Sequence, residues 1–288
     1  MNILEGRQLA VIGDPIGHSL SPVIHQAMLD ALGVRCTYGR IRVRAGETAA
    51  WLTQAEKGPL AGFNATMPHK TDLIPLMDTL SEDARMCRSV NTVVLRDGKR
   101  HGCSTDGEGF LRSLRAAGID PCGMDIAVLG AGGAARAIVS KLDTSRAGSI
   151  SVLCRTPSRA GEMARASRRI RVMAWDDASM KTALKGAALL VNCTPLGMDG
   201  VDAQFAGFDF LDGLPAHAAV CDVIYRPVKT RLLKEAEMRG HTALNGLGML
   251  IHQAILALEL FSGQPLDPAA MEHAVRERLL PELEQKAT

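Results

Sequence analysis

The chain has 288 residues, enough for two compact domains, because a single hydrophobic core usually stops growing below that length. Its 33 basic and 31 acidic side chains nearly cancel to +2, which excludes the electrostatic footprint of a nucleic-acid or anionic-membrane binder and favours a small-molecule partner. Seven cysteines without a C-x-x-C pair speak against a disulfide framework and a zinc site, and eight histidines without H-x-x-x-H spacing suggest no metal centre. The first residues lack the pattern of a secretory leader, so the expected location is the reducing cytoplasm.

In chain order, strand-length apolar runs alternate with helical patterns: "QLAVIG", the helix "SPVIHQAMLDALG", "CTYGRIRV", a helix near 46–57 and "AGFNAT". Such alternation predicts parallel strands with covering helices. Ser21 followed by Pro22 reads as a helix cap with proline in the first turn. In "SVNTVVLRDGKRHGCST" two alternating runs flank Asp97-Gly98, the chemistry of a two-residue hairpin turn, so an antiparallel hairpin is expected to close the first sheet.

From Asp125 a second α/β series begins: "DIAVLG", a glycine-rich turn, "AARAIVSKL", "SISVLCR", a helix, "RVMAW", a helix to Lys185, "ALLVNCT" and "AVCDVIY". A helix near 229–239 is followed by two more, "NGLGMLIHQAILALELFSG" and "DPAAMEHAVRERLLPEL", with no strand after them.

Gly130, Ala131, Gly132, Gly133, Ala134 and Ala135 fit G-x-G-x-x-G/A between a strand and a helix. Gly130 permits the tight turn, Gly132 lets a pyrophosphate approach the backbone, and Ala135 is small enough for close helix packing. About 24 residues on, where an NAD-binding fold carries an acidic residue for the ribose, this chain has Arg155, Thr156 and Arg159. Two guanidinium groups and a hydroxyl suit the extra phosphate of NADP. Ser19 and Ser21, two residues apart in an extended segment, point the same way and are placed to hold a carboxylate at a helix N-terminus.

In order, "SLSP", "GFNATMPHK", "VNTV", "STDGEGF", "GAGGAARA", "CRTPSR", "NCTPLGM", "YRPVKTRLL" and "GLGMLIHQA" resemble the shikimate dehydrogenase family (shikimate/quinate 5-dehydrogenases) along nearly the whole chain. The resemblance implies a two-domain α/β fold. Residues 1–105 plus 246–288 would form the substrate-binding domain, to which the last helices return, and 106–245 a Rossmann-type NADP-binding domain. It implies reversible NADPH-dependent reduction of 3-dehydroshikimate to shikimate, on the chorismate route to aromatic amino acids. By that resemblance Lys70 and Asp106 are the catalytic pair. Ser19, Ser21, Asn64, Thr66, Asn91, Tyr225 and Gln253 are the substrate shell. The glycine-rich turn, Arg155, Thr156, Arg159, Thr194, Val223 and Gly246 are the cofactor shell.

Hydride delivery to a ketone builds negative charge on oxygen, so the site needs a held proton donor. An ordinary lysine is protonated at neutral pH, and Lys70 is the expected donor. The hydroxyls of the substrate ring call for neutral partners, and no cation is assigned to its carboxylate. The chain departs from the family in Ala65, usually valine, in Met67 and His69 beside Lys70, and in "GCSTDG" where "GDNTDG" is usual. These departures keep open a paralogue, a quinate or quinate/shikimate dehydrogenase that could use NAD; a cofactor-binding sensor without turnover is a second alternative, against which the intact Lys70 and Asp106 argue. A homodimer is compatible with the sequence.

Overall fold

A computed structural model describes residues 3–284, the side chains of 159 and 280–284 excepted. The elements run β1 (Gln8–Gly13), α1 (Ser21–Ala31), β2 (Thr37–Arg42), α2 (Thr48–Ala55), β3 (Leu60–Ala65), β4 (Thr79–Leu80), α3 (Glu82–Cys87), β5 (Thr92–Arg96), β6 (Lys99–Cys103) and α4 (Asp106–Ala116). Then come β7 (Asp125–Leu129), α5 (Gly133–Thr144), β8 (Ser149–Cys154), α6 (Pro157–Ala166), β9 (Ile170–Ala174), α7 (Asp177–Leu184), β10 (Leu189–Asn192), β11 (Ala219–Asp222), α8 (Arg231–Met238), β12 (Thr242–Leu244), α9 (Leu247–Ser262) and α10 (Pro268–Glu284). The chain divides into two compact units: residues up to Gly109 together with those from Ile251 on, and Phe110–Leu250. Both boundaries fall inside helices, α4 and α9.

The first unit is built on a sheet ordered β2-β1-β3-β5-β6-β4. Strands β1, β2 and β3 are parallel, and β5 runs antiparallel to both β3 and β6. One face buries Ala10, Ile12, Phe63 and Val93 against Leu52 of α2. A fully buried side chain of this size stabilises by about 1.5–3 kcal/mol. Register puts Tyr38, Asn64 and Thr92 together on the other face, since Leu9 faces both Tyr38 and Gly62, and Asn64 pairs with Thr92. Gly62 lets α9 approach there: a Cβ would stand 2.6 Å from both the Phe261 ring and the Val93 carbonyl.

The second unit is a six-stranded parallel sheet ordered β12-β11-β10-β7-β8-β9, the doubly wound arrangement of dinucleotide-binding folds. Ile126 and Val128 face a core with Ile138 and Leu142 of α5, while Ala127 and Leu129 face one with Leu184 of α7 and Leu232 of α8. The strand order reverses between β7 and β10, beside the glycine-rich turn.

Several expectations are corrected. Helix α1 begins at Ser21 itself, with Leu20 in the cap position and no side-chain cap. The Ser19 hydroxyl accepts the Ser21 backbone N–H instead, at 3.3 Å. The hairpin forms, with φ of 53° at Asp97 and 67° at Gly98, but β4 pairs beyond it and is the true sheet edge. "AVCDVIY" leaves the sheet at Asp222, so Val223 and Tyr225 lie on a loop. Helices α3 and α4 and the short strands β4 and β12 are additional to the elements read from the sequence.

Candidate active site

In the first unit, Lys70 follows β3 on a tight loop whose neighbour, His69, is wholly buried. The His69 Nε2 lies 2.8 Å from the Val43 carbonyl, which can only accept, so that nitrogen carries the proton and Nδ1 accepts from the Thr48 hydroxyl at 2.9 Å. The Lys70 carbonyl in turn accepts the Val90 N–H at 2.8 Å, which docks the loop beside Asn91. Asp106 is the first residue of α4, where the helix N-terminus favours a carboxylate.

The Lys70 Nζ donates to Asp106 Oδ2 at 2.5 Å, and the Asn91 Nδ2 donates to Asp106 Oδ1 at 2.9 Å. Only 17% of the lysine side chain and 6% of the aspartate side chain are exposed, so the pair is largely shielded from water. Such shielding strengthens the attraction between the two charges. The Asn91 Nδ2 also faces Thr105 Oγ1 at 2.9 Å and Gln253 Oε1 of α9 at 3.4 Å. Gln253 is held close because Gly109 of α4 leaves no side chain in the way: a Cβ there would lie 2.7 Å from the Gln253 backbone nitrogen.

The other residues expected to bind substrate are placed as follows. The Ser19 hydroxyl donates to Ser21 Oγ at 3.2 Å, and the Arg40 guanidinium grips the Ser19 carbonyl at 3.0 and 2.7 Å, fixing this turn. Thr66 closes β3 with its methyl against Gly13, where a Cβ would come within 2.5 Å. Asn64 is buried and turned into the framework, with Oδ1 accepting from the Tyr38 hydroxyl and Nδ2 donating to the Asn91 carbonyl and Thr92 Oγ1. Tyr225 belongs to the second unit and is half-buried on the loop after β11. Of the variant residues beside Asp106, Ser104 is buried, and the Cys103 carbonyl accepts the Asn91 N–H at 3.1 Å. Burial pushes the Cys103 thiol above its ordinary range, against a smaller opposing effect of Ser81.

In the second unit, Gly130 has φ of +101°, a conformation that L side chains rarely adopt. Gly132 is the N-cap of α5, and the space where its Cβ would stand is open to 4 Å. This is a cradle that a pyrophosphate fits, at a helix N-terminus. Thr194 stands across the turn, its N–H and hydroxyl both donating to Asn192 Oδ1 at 3.0 and 2.7 Å. Val223 and Gly246 are pressed together, since a Cβ on Gly246 would overlap the Val223 carbonyl at 2.0 Å. Arg155 and Thr156 are exposed at the start of α6, where Thr156 occupies the cap position without using its side chain to cap. The side chain of Arg159 lies outside the described residues.

Sequence reading passed over the residues behind these groups. Tyr38, Thr92 and Thr105 hold Asn64 and Asn91 in the first unit; Asn192, Asp222 and Thr230 form a buried cluster in the second. Polar residues inside otherwise apolar strands, such as Asn192 in "LLVN" and Asp222 in "AVCD", were the available signal. Among the described residues no helix is long and apolar enough to cross a membrane, and no group of three His, Cys, Asp or Glu side chains is placed to hold a metal ion.

Comparison with known proteins places the chain in a family. Residues 11–93 match the shikimate dehydrogenase substrate binding domain, and residues 246–276 match the shikimate 5'-dehydrogenase C-terminal domain. The NADP(+)-dependent shikimate dehydrogenase of Symbiobacterium thermophilum is 38% identical over 270 residues, covering 91% of this chain and 92% of that protein. The shikimate 5-dehydrogenase of Thermus thermophilus, solved with NADP(H) and shikimate, superposes with a TM-score of 0.82 at 34% identity over 95% of this chain and 100% of that one. A 5-ketofructose reductase of Gluconobacter sp. strain CHM43 shares the fold too, with a TM-score of 0.78 at 30% identity over 94% and 98% of the two chains. Similarity at this level along almost the full length of the relatives leads to one assignment: this chain belongs to the shikimate dehydrogenase family.

Proposed function

We infer that this protein is an NADP-dependent shikimate dehydrogenase, an oxidoreductase that interconverts 3-dehydroshikimate and shikimate on the route to chorismate and the aromatic amino acids. The observation that carries the reading is the shielded Lys70–Asp106 pair, anchored by Asn91, in a chain whose relatives bear that activity.

In this reading the cofactor, when bound, supplies and takes back the hydride. The residues of the chain manage the proton and the orientation of the ring. As charge builds on the ketone oxygen, the Lys70 ammonium gives it a proton; in alcohol oxidation the neutral amine takes one back. Asp106 keeps the lysine in one place and balances its charge, so little reorganisation is needed during the reaction. Asn91, Thr66 and Gln253 offer neutral donors and acceptors to the ring hydroxyls, with Asn64 supporting Asn91 from behind. A site built so discriminates against analogues that leave such groups unpaired. Ser19 and Ser21, at the N-terminus of α1, receive the carboxylate, and by the family resemblance Tyr225 belongs to the substrate shell. Gly130, Ala131, Gly132, Gly133 and Ala134 would hold the pyrophosphate, with Thr194, Val223 and Gly246 around them. Arg155, Thr156 and Arg159 would hold the additional phosphate of NADP.

The same reading takes the protein as a cytoplasmic enzyme working on small molecules, with neither nucleic acid nor membrane as partner, and allows a homodimer. The reductase of Gluconobacter warns that this fold serves other polyhydroxy ketones, so substrate choice needs a direct test. Initial rates with shikimate and quinate against NADP and NAD supply it. Shikimate with NADP is expected to lead, with efficiency at least about tenfold above quinate, a margin of about 1.4 kcal/mol in transition-state discrimination. Equal efficiency with quinate would move the assignment to a quinate/shikimate enzyme. Binding without turnover would make it a sensor.

A further inference from the structure

The amide of Asn91 is the hinge of the catalytic pair, and its direction is fixed by groups that cannot turn around. Its Oδ1 accepts the Thr105 backbone N–H at 2.8 Å, a group that only donates. Its Nδ2 is thereby aimed at Asp106. A second layer lies behind it. The Asn64 Nδ2 donates to the Asn91 backbone carbonyl at 3.2 Å, a group that only accepts, so this amide also has one permitted orientation. From there the Asn64 Nδ2 reaches Thr92 Oγ1 at 2.9 Å, and the Thr92 hydroxyl, with one lone pair occupied, donates onward to Asn91 Oδ1 at 3.0 Å. The opposite end, Asn64 Oδ1, is left facing the Tyr38 hydroxyl at 2.7 Å, which must donate. Tyr38 is itself immobilised, with its ring stacked on His25 of α1 at 4.2 Å and 3° from parallel.

We propose that Tyr38 is a positioning residue for the reaction, acting through Asn64 and Thr92 to hold the Asn91 amide in the orientation that serves Asp106 and Lys70. The proposal rests on the assignment of Lys70 and Asp106 as the catalytic pair. Tyr38 is 6% exposed, Asn64 5% and Thr92 0%, so water cannot readily replace a lost partner within this chain of contacts. Without the Tyr38 hydroxyl, Asn64 Oδ1 loses its donor, and an amide flip cannot restore one. It would set oxygen against the Asn91 carbonyl.

The test uses the full-length enzyme and two conservative variants, Tyr38→Phe and Thr92→Val, each made alone and together with Asn91→Ala. Each single variant is expected to lower kcat for shikimate oxidation roughly three- to tenfold, the range for one buried hydrogen bond, with the Michaelis constant for NADP unchanged. In the Asn91→Ala background the same substitutions should have almost no further effect on kcat, because the group they position is gone. Dissociation constants for shikimate, measured by calorimetry without cofactor, should show the same non-additivity. Unchanged kcat in Tyr38→Phe would overturn the proposal, as would equal fold losses with and without Asn91, the pattern of a residue that only supports folding. Thr92→Val carries the test if Tyr38→Phe does not fold. A Lys70→Ala enzyme that turned over normally would overturn the catalytic assignment itself, an outcome separable from both.

Discussion

Each unit of the molecule carries a buried amide donating to a buried carboxylate, and the two are set up to opposite ends. In the first, Asn91 Nδ2 meets Asp106 Oδ1 at 2.9 Å; in the second, Asn192 Nδ2 meets Asp222 Oδ1 at 3.0 Å. The difference is at the second oxygen. Asp106 receives the Lys70 ammonium there, whereas Asp222 receives the Thr230 hydroxyl, along with the Ile224 N–H at its first oxygen. With neutral donors only, burial dominates and pushes the Asp222 carboxyl up from 3.8 to about 6, the three hydrogen bonds offsetting only part of the cost. On the proposed function, the carboxylate opposite a cation is half of an acid–base pair, while the one opposite neutral donors is a clasp, here closing the loop that carries Val223 and Tyr225 between β11 and α8.

Removing the cation is the most severe way to break this contrast. Lys70→Ala should cost roughly 10²- to 10⁴-fold in turnover, the range for a positioned acid–base group, while NADPH binding followed by fluorescence titration stays near wild type. Near-normal turnover would leave the first carboxylate no different in role from the second.

Two buried titratable groups sharpen the contrast through pH. His25 is wholly buried and burial holds its imidazole down, from 6.5 to about 3. The unfolded chain therefore takes up this proton first, and stability falls as pH drops from about 6.5 towards 3, by roughly 4–5 kcal/mol at the lower end. His25→Phe, which keeps a ring against Tyr38, should remove that loss in urea titrations across this range. Asp222 acts with the opposite sign. Its folded value is raised, so the folded chain takes up the proton first, and the stability present below about 4 is lost as pH rises through about 6, a change of roughly 2–3 kcal/mol. Asp222→Asn should abolish this dependence, and hydrogen exchange resolved by unit should place its effect in Phe110–Leu250. An effect of either substitution that was the same at pH 4 and pH 7 would remove the titration argument.

The smallest expected effect concerns the second unit's exposed cations. Replacing Arg155 and Arg159 together with alanine should raise the Michaelis constant for NADP about tenfold or more while leaving that for NAD nearly unchanged, because only NADP carries the phosphate they are proposed to meet. Equal losses with both dinucleotides would make the arginines general supports.

Legibility in the sequence followed the range over which each feature is specified. The Asp97-Gly98 turn was readable because two adjacent residues with positive φ determine it. The meeting of Lys70 with Asp106 and the glycine-rich turn ahead of α5 were readable from ordered motifs. Helix α4 was not singled out, because Gly107 and Gly109 look like loop residues, and only the crossing with Gln253 of α9 explains the second. The strands β4 and β12 have two and three residues, too few to show a period. Tyr38 and Thr92 stand 26 and 28 positions from Asn64, and nothing local foretells the strand register that joins them. Ser21 had the right chemistry for a cap but lies one position too late, and the preceding Leu20 takes the place.

The unit boundaries inside α4 and α9 bear on modularity. A recombinant fragment ending at Gly109 would carry Asp106 on four residues of an eleven-residue helix, and one beginning at Ile251 would start α9 after its first turn, with Gln253 in the frayed end. Grafting a foreign nucleotide-binding module between these points would therefore rewrite the helical supports of two residues of the candidate site, Asp106 and Gln253. Swaps that leave both helices whole in the host chain, with junctions after Ala116 and ahead of Leu247, are the ones expected to yield working chimeras.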